Sequence, residues 1–169
     1  MRDVAPVYMD AASDLATRIG ADGHTLVWGG SNLGMMKGIA DAAQGAGGKI
    51  VGVSMELFQD KARPNADEMI IAPTLAERKR LLLERGDAII ALPGGFGTLD
   101  EVTEVIELKK QKAHNKPIVV LNTDGFYDGL KTQLERMESE GFFFDTLANY
   151  VYFAPTPEDA MDYLRSYGG

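Results

Sequence analysis

The sequence predicts an α/β doubly wound domain, a mostly parallel sheet flanked by helices. Three observations lead there. Apolar runs of strand length alternate with amphipathic stretches of helical length. Several of the short runs, such as "AIIAL" and "PIVVL", are apolar throughout rather than alternating, as in strands covered on both faces. Two runs end in glycine-rich turns that lead straight into helical patterns, the usual ligand end of such sheets.

The first pattern is a helix over Pro6–Ile19, where a doubly wound fold ordinarily opens with a strand; that first strand is absent here, so either the natural start lies upstream of Met1 or the sheet is built without it. Strands follow at Thr25–Trp28, Lys49–Val53, Glu68–Ile71, Ala88–Leu92, Pro117–Leu121 and Tyr150–Phe153. Helices are expected over Leu33–Gln44, Leu75–Arg85, Leu99–Lys112, Tyr127–Glu140 and Pro157–Tyr167. Thr156 precedes Pro157, an N-cap followed by proline at the first helical position. Thr74 with Glu77, and Thr98 with Glu101, have the spacing of capping boxes. Neither an internal repeat nor a linker interrupts the pattern, so residues 1–169 read as a single nucleotide-binding domain.

Composition removes several function classes. The net charge is −8 over 169 residues, which argues against binding nucleic acid or anionic membranes, since both rest mainly on Lys and Arg. Cysteine is absent, so neither disulfides nor thiolate metal sites arise. Apolar runs fall short of the roughly 20 residues of a membrane span, and a secretory leader pattern is lacking. A cytoplasmic protein is expected.

The glycine turns are "VWGGSNLGMM", with Gly29, Gly30 and Gly34, and "LPGGFGTLDE", with Gly94, Gly95 and Gly97. Glycine lets a backbone approach an anion and turn its N–H groups toward it. A following helix adds unpaired amides and partial positive charge, so phosphate is favoured without a lysine. Ser31 and Thr98 would add hydroxyls. Neither turn is a P-loop, and neither completes G-x-G-x-x-G, because Asp100 stands at the third glycine position. For Gly29–Gly34 a simple tight turn explains the glycines equally well; the density over Pro93–Thr98 is harder to explain by turning alone.

Asp100, Glu101 and Glu104 open the next helix, where negative charge suits the macrodipole. Capping alone would account for Glu101. Glu101 and Glu104 are also three apart and share a face, so beside a phosphate turn they would reach a sugar. The run "ERKR", Glu77–Arg80, reads as a solvated basic face when taken alone. His114 and Trp28 read as structural residues.

Pro93–Glu101 fits the pattern P-G-G-x-G-T-x-x-E, and Arg78-Lys79 precedes it. Here the chain resembles the LOG ("lonely guy") family, cytokinin riboside 5′-monophosphate phosphoribohydrolases long labelled possible lysine decarboxylases. The likeness extends through "LVWGGSNLGMMKGIADAA", "HNKPIVVLNTDGFYDGL" and "EGFF". It implies a Rossmann-like fold, a homodimer, and hydrolysis of the N-glycosidic bond of a nucleoside 5′-monophosphate such as a modified AMP. It implies Arg78 and Glu101 as the catalytic pair and Gly94, Gly95, Gly97 and Thr98 as the phosphate cradle. Gly30 and Ser31 join the cradle, with Lys79 and Glu104 in support. Neither a cofactor nor a metal is implied.

The chemistry agrees with the residues. Breaking a ribosyl–base bond builds positive charge on the sugar, which a carboxylate such as Glu101 stabilises while orienting or deprotonating water. Leu75 replaces a methionine usual in the family. Leu108 and Lys110 stand where plant-like members carry Trp and Gln, which bears on base specificity. A competing reading is a carrier of nucleotide or molybdenum cofactor, related proteins having similar glycine motifs. Retention of both Arg78 and Glu101 favours the enzyme, since a carrier needs only the cradle. Lysine decarboxylation would need a lysine Schiff base to pyridoxal phosphate, and no sequence context picks one out.

Overall fold

A computed structural model describes residues 4–167. The chain divides into two compact units, Met1–Gly86 and Asp87–Gly169. Every strand pairing in both is parallel. The expected parallel strands are thus present, as two three-stranded sheets.

The first unit starts with α1 (Pro6–Ala21), whose proline occupies the first turn, where a missing N–H costs nothing. Its buried stripe, Ala12, Leu15 and Ala16, belongs to the face that packs on α2 (Gly34–Gly45), which buries Ile39, Ala40 and Ala43. Strand β1 (Thr25–Trp28) lies beside β2 (Lys49–Met55), with Trp28 opposite Gly52, and β2 lies beside β3 (Glu68–Ala72). Ile50 and Val53 of β2 and Ala72 of β3 are fully buried. Helix α3 (Leu75–Arg85) starts at Thr74, whose hydroxyl accepts the Glu77 amide at 3.1 Å, as its sequence predicts. The box is one-sided, because Arg80 takes the Glu77 carboxylate.

In the second unit β5 (Ile118–Leu121) is central, between β4 (Ile89–Ala91) and β6 (Tyr152–Ala154), and all four of its residues are buried. Ile118 and Val120 share a core with Val102 of α4 (Phe96–Lys110) and Leu134 of α5 (Asp128–Ser139). Helix α7 (Pro157–Ser166) packs on β5 and β6. Its N-cap, Thr156, accepts the Asp159 amide at 3.1 Å.

Besides α4, whose start is described below, two segments depart from their sequence patterns. The last strand begins at Tyr152 rather than Tyr150, since 147–150 form a short helix, α6 (Leu147–Tyr150). Two carboxylates explain it: Glu138 accepts the Leu147 amide at 3.0 Å, and Asp145 accepts from Thr146 N and Asn149 Nδ2. A 3₁₀ turn over Glu56–Lys61 has no apolar periodicity to announce it.

Arg63, after that 3₁₀ turn, is only 6% exposed. Its Nη1 donates to Asp41 at 2.7 Å and Asn32 at 3.3 Å, and Nη2 donates to Gln44 at 2.7 Å. A buried guanidinium is tolerable only with such partners. The Lys37 ammonium, followed by Arg63, holds the Asp41 carboxyl below its ordinary value. A depressed folded-state pKa adds stability above the unfolded value and loses it as pH falls through the folded one. Arg63→Ala is expected to cost about 2 kcal/mol in urea unfolding near neutral pH. The stability gap between wild type and Asp41→Asn should be full at neutral pH and close on titration below about pH 4.

Candidate active site

In the first unit the candidate residues gather at the carboxyl ends of β1 and β2. After Trp28 the chain turns through Gly29 and Gly30. Gly30 is buried with φ +75°, a conformation that penalises side chains. The turn is braced from outside: Arg63 N donates to Gly30 O at 2.9 Å and Asn32 N to Lys61 O at 2.8 Å, and Ser31 bridges to Ala62. Those bonds use the Asn32 amide internally. The Ser31 oxygen accepts the Leu33 amide at 3.3 Å, a bond that does not use its hydroxyl proton.

Arg78 enters the same region from α3. It is half-buried, and its Nε donates to the Val53 carbonyl of β2 at 3.0 Å. Its Nη2 lies 2.5 Å from where a Cβ of Gly29 would stand. A side chain at Gly29 would therefore displace the guanidinium, and the glycine is needed for that close approach. The basic run thus divides in two. Arg80 faces solvent in ion pairs with Glu77 and Glu84, while Arg78 turns to the sheet. Lys79 is half-buried on the same helix.

In the second unit α4 starts at Phe96, three residues before Leu99, and its N-cap is Gly95, which has no side chain to cap with. The Leu99 N–H to Gly95 O bond, 3.1 Å, closes the first turn. The amides of Phe96, Gly97 and Thr98 precede it and have no partner within the helix. This corrects the capping box expected at Thr98 and Glu101. Thr98 lies inside the helix, and its Oγ1 sits where a Cβ of Gly94 would stand. Glu101 is too far along α4 to reach back to the cap, so capping no longer accounts for it. Glu101 and Glu104 are both half-buried, three residues apart.

The glycines of this turn are not alike. Gly94 is required by the Thr98 hydroxyl. Gly95 and Gly97 have no positive φ, and a Cβ at either would meet nothing within 4 Å. Neither turning nor packing within the chain demands glycine there. What glycine does provide is an open backbone for a group arriving from outside.

Two residues escaped the sequence reading of the site, and a third, Gly29, was visible only as one glycine of a turn. Arg63 braces that turn, and isolated charges carry no pattern. Tyr127, directly before α5, donates its hydroxyl to the Leu92 carbonyl at 2.7 Å. Among the described residues no group of three or more His, Asp or Glu has the arrangement of a metal site, and no helix is long and apolar enough to cross a membrane.

Residues 36–164 match the family described as possible lysine decarboxylase. The cytokinin riboside 5′-monophosphate phosphoribohydrolase of Mycobacterium tuberculosis is 36% identical over 155 residues, 90% of this chain and 83% of that one. The Arabidopsis thaliana enzyme LOG5, of the same name, is 34% identical over 162 residues, 95% of this chain and 71% of that one. Among solved structures, the molybdenum cofactor binding protein of Rippkaea orientalis superposes with a TM-score of 0.74 at 24% identity. That match covers 96% of this chain and 89% of the other, a likeness of fold.

Gly29→Ala tests the placement of Arg78. The atoms in its way, Arg78 Nη2 and Met36 Sδ, lie near the ends of flexible side chains, so the variant should fold with a melting temperature close to wild type. Its crystal structure should show the guanidinium moved from Gly29 and the bond to Val53 O lengthened or lost. An unmoved Arg78 would show that the glycine does not govern its position.

Proposed function

We propose, from the premise that the chain belongs to the LOG family of cytokinin riboside 5′-monophosphate phosphoribohydrolases, that it hydrolyses the N-glycosidic bond of an adenosine 5′-monophosphate, modified or plain, to free base and ribose 5-phosphate. The observation that carries this reading is the start of α4. It combines an N-cap without a side chain, two glycines that nothing in the chain requires, and a glutamate that capping no longer explains.

The 5′-phosphate sits on the amides of Gly95, Gly97 and Thr98, where the helix supplies donors and partial positive charge. Gly94 shapes that turn through its contact with Thr98. In the first unit, Gly30 and Ser31 contribute their turn and hydroxyl, and Lys79 adds positive charge. The phosphate is remote from the bond that breaks, so its binding energy is available to hold the ribose in a reactive position. As the C1′–N bond breaks, its electron pair leaves on the base and positive charge grows on the sugar. Water oxygen forms the new bond to C1′ and its proton passes to Glu101, acting as general base, and from there to the departing base. Glu104, one turn along the same face, holds the ribose hydroxyls. Arg78, its Nε committed to Val53 O, presents a fork of fixed direction that binds the substrate. A homodimer, as the resemblance implies, in the cytoplasm, as the composition leads one to expect, completes the proposal.

The test is chromatography of free base released from AMP and from isopentenyladenosine monophosphate, with wild type and Glu101→Gln side by side. Wild type should release base and ribose 5-phosphate in equal amounts, and the variant should be slower by about 10²–10⁴-fold. Absence of release from either nucleotide, with the nucleotide still bound, would replace the hydrolase by a carrier.

A further inference from the structure

We infer that Tyr127, outside both the motif and the catalytic pair, is a positioning residue that sets the phosphate affinity of the Gly95–Thr98 amides. Chain order places it far from the turn, yet its hydroxyl reaches back to it. β4 ends at Ala91, so the Leu92 carbonyl lies beyond the strand ladder, and the next residue, Pro93, has no N–H. The Tyr127 hydroxyl satisfies that carbonyl at 2.7 Å. Burial raises the phenol above its ordinary value, and the Gly94 amide facing the same oxygen pulls the other way. The group is therefore a protonated donor at neutral pH. Its hydroxyl thus holds the turn at Leu92.

Tyr127 is itself held firmly. Its amide donates to Asn122 Oδ1 at 2.6 Å, and Asn122 Nδ2 donates to Asp128 Oδ1 at 2.7 Å. Its ring is 3% exposed, within the core that includes Ala91, Val102 and Ile118, and meets Phe126 edge to face at 4.8 Å. A phenylalanine would satisfy that core equally well. The hydroxyl is what the turn requires, and a buried hydroxyl without a partner would be costly. The amides that follow, at the start of α4, have no partner within the helix and are the ones left to face an anion. Their direction follows from the Leu92–Gly94 geometry that Tyr127 holds. Pre-set donors bind a phosphate more tightly than donors that must first be ordered.

This inference rests on the reading of those amides as the 5′-phosphate site, and the experiment separates the two. Binding of ribose 5-phosphate and of adenosine, which lacks the phosphate, is measured by calorimetry for wild type and Tyr127→Phe, with melting curves to establish folding. The dissociation constant for ribose 5-phosphate should rise about tenfold in the variant, with adenosine binding unchanged. An unchanged affinity for ribose 5-phosphate overturns the inference, and so does an equal loss for both ligands, which marks a general structural role. If wild type binds ribose 5-phosphate but releases no base, the hydrolase reading fails and the tyrosine comparison still decides this one. If wild type does not bind ribose 5-phosphate, both fail. Should Tyr127→Phe not fold, Asn122→Ala, which loosens the Tyr127 main chain without touching the turn, carries the same comparison with the same expected direction.

Discussion

Helix α4 begins on a bare backbone, and the properties of the second unit follow from that. A helix start leaves amides without partners, and proteins ordinarily cover them with Ser, Thr, Asp or Asn. Thr74 and Thr156 do this for α3 and α7. At α4 the corresponding residue is Gly95, and the nearest hydroxyl, Thr98, is turned against Gly94. An uncapped start costs stability unless something else meets the amides. Here no capping side chain meets them, while the turn is held from behind by Tyr127.

The first unit solves a related problem with arginines. Arg63 and Arg78 both bring a guanidinium to the turn after β1, with different consequences. Arg63 is almost fully buried, and its forks are occupied by Asn32, Asp41 and Gln44, so it ties a loop to α2. Arg78 is only half-buried, and its Nε is bound by the Val53 carbonyl against a glycine chosen by contact rather than by dihedral angle. Arg80, two residues on, shows the ordinary fate of such a side chain: exposed, and paired along its own helix. Exposed pairs of that kind contribute little to stability. Three arginines of one chemistry thus brace, position and solvate, according to how much water reaches them.

Most of the element pattern was legible because it rests on local physics. α3 spans Leu75–Arg85, and β1 spans Thr25–Trp28, as their apolar periods require. The misses fall where a long-range or backbone interaction overrode a local signal. The Thr98–Glu101 spacing satisfies the capping-box rule, but Gly95 starts the helix first. The "YVYF" run has strand propensity, but the Glu138 and Asp145 carboxylates captured the residues before Tyr152 into α6. For the site, the motif marked Gly94, Gly95, Gly97, Thr98 and Glu101 as a set, and could not say which glycine was needed for what. Tyr127 was read only as part of a helix, because a hydroxyl's partner 35 positions away leaves no trace in spacing.

The chain's own order of residues therefore settles the α/β class, the parallel strands and the candidate chemistry. Each depends on periodicity, composition or a contiguous motif, all of which act over a few residues. Folding in three dimensions settles the direction of each group. It turns Arg78 inward and Arg80 outward, and frees Glu101 from the cap. It also separates Gly94, filled by a neighbour, from Gly95 and Gly97, left open. Direction comes from which atoms already occupy the neighbouring space and which hydrogen bonds are already taken, and those neighbours come from distant parts of the chain.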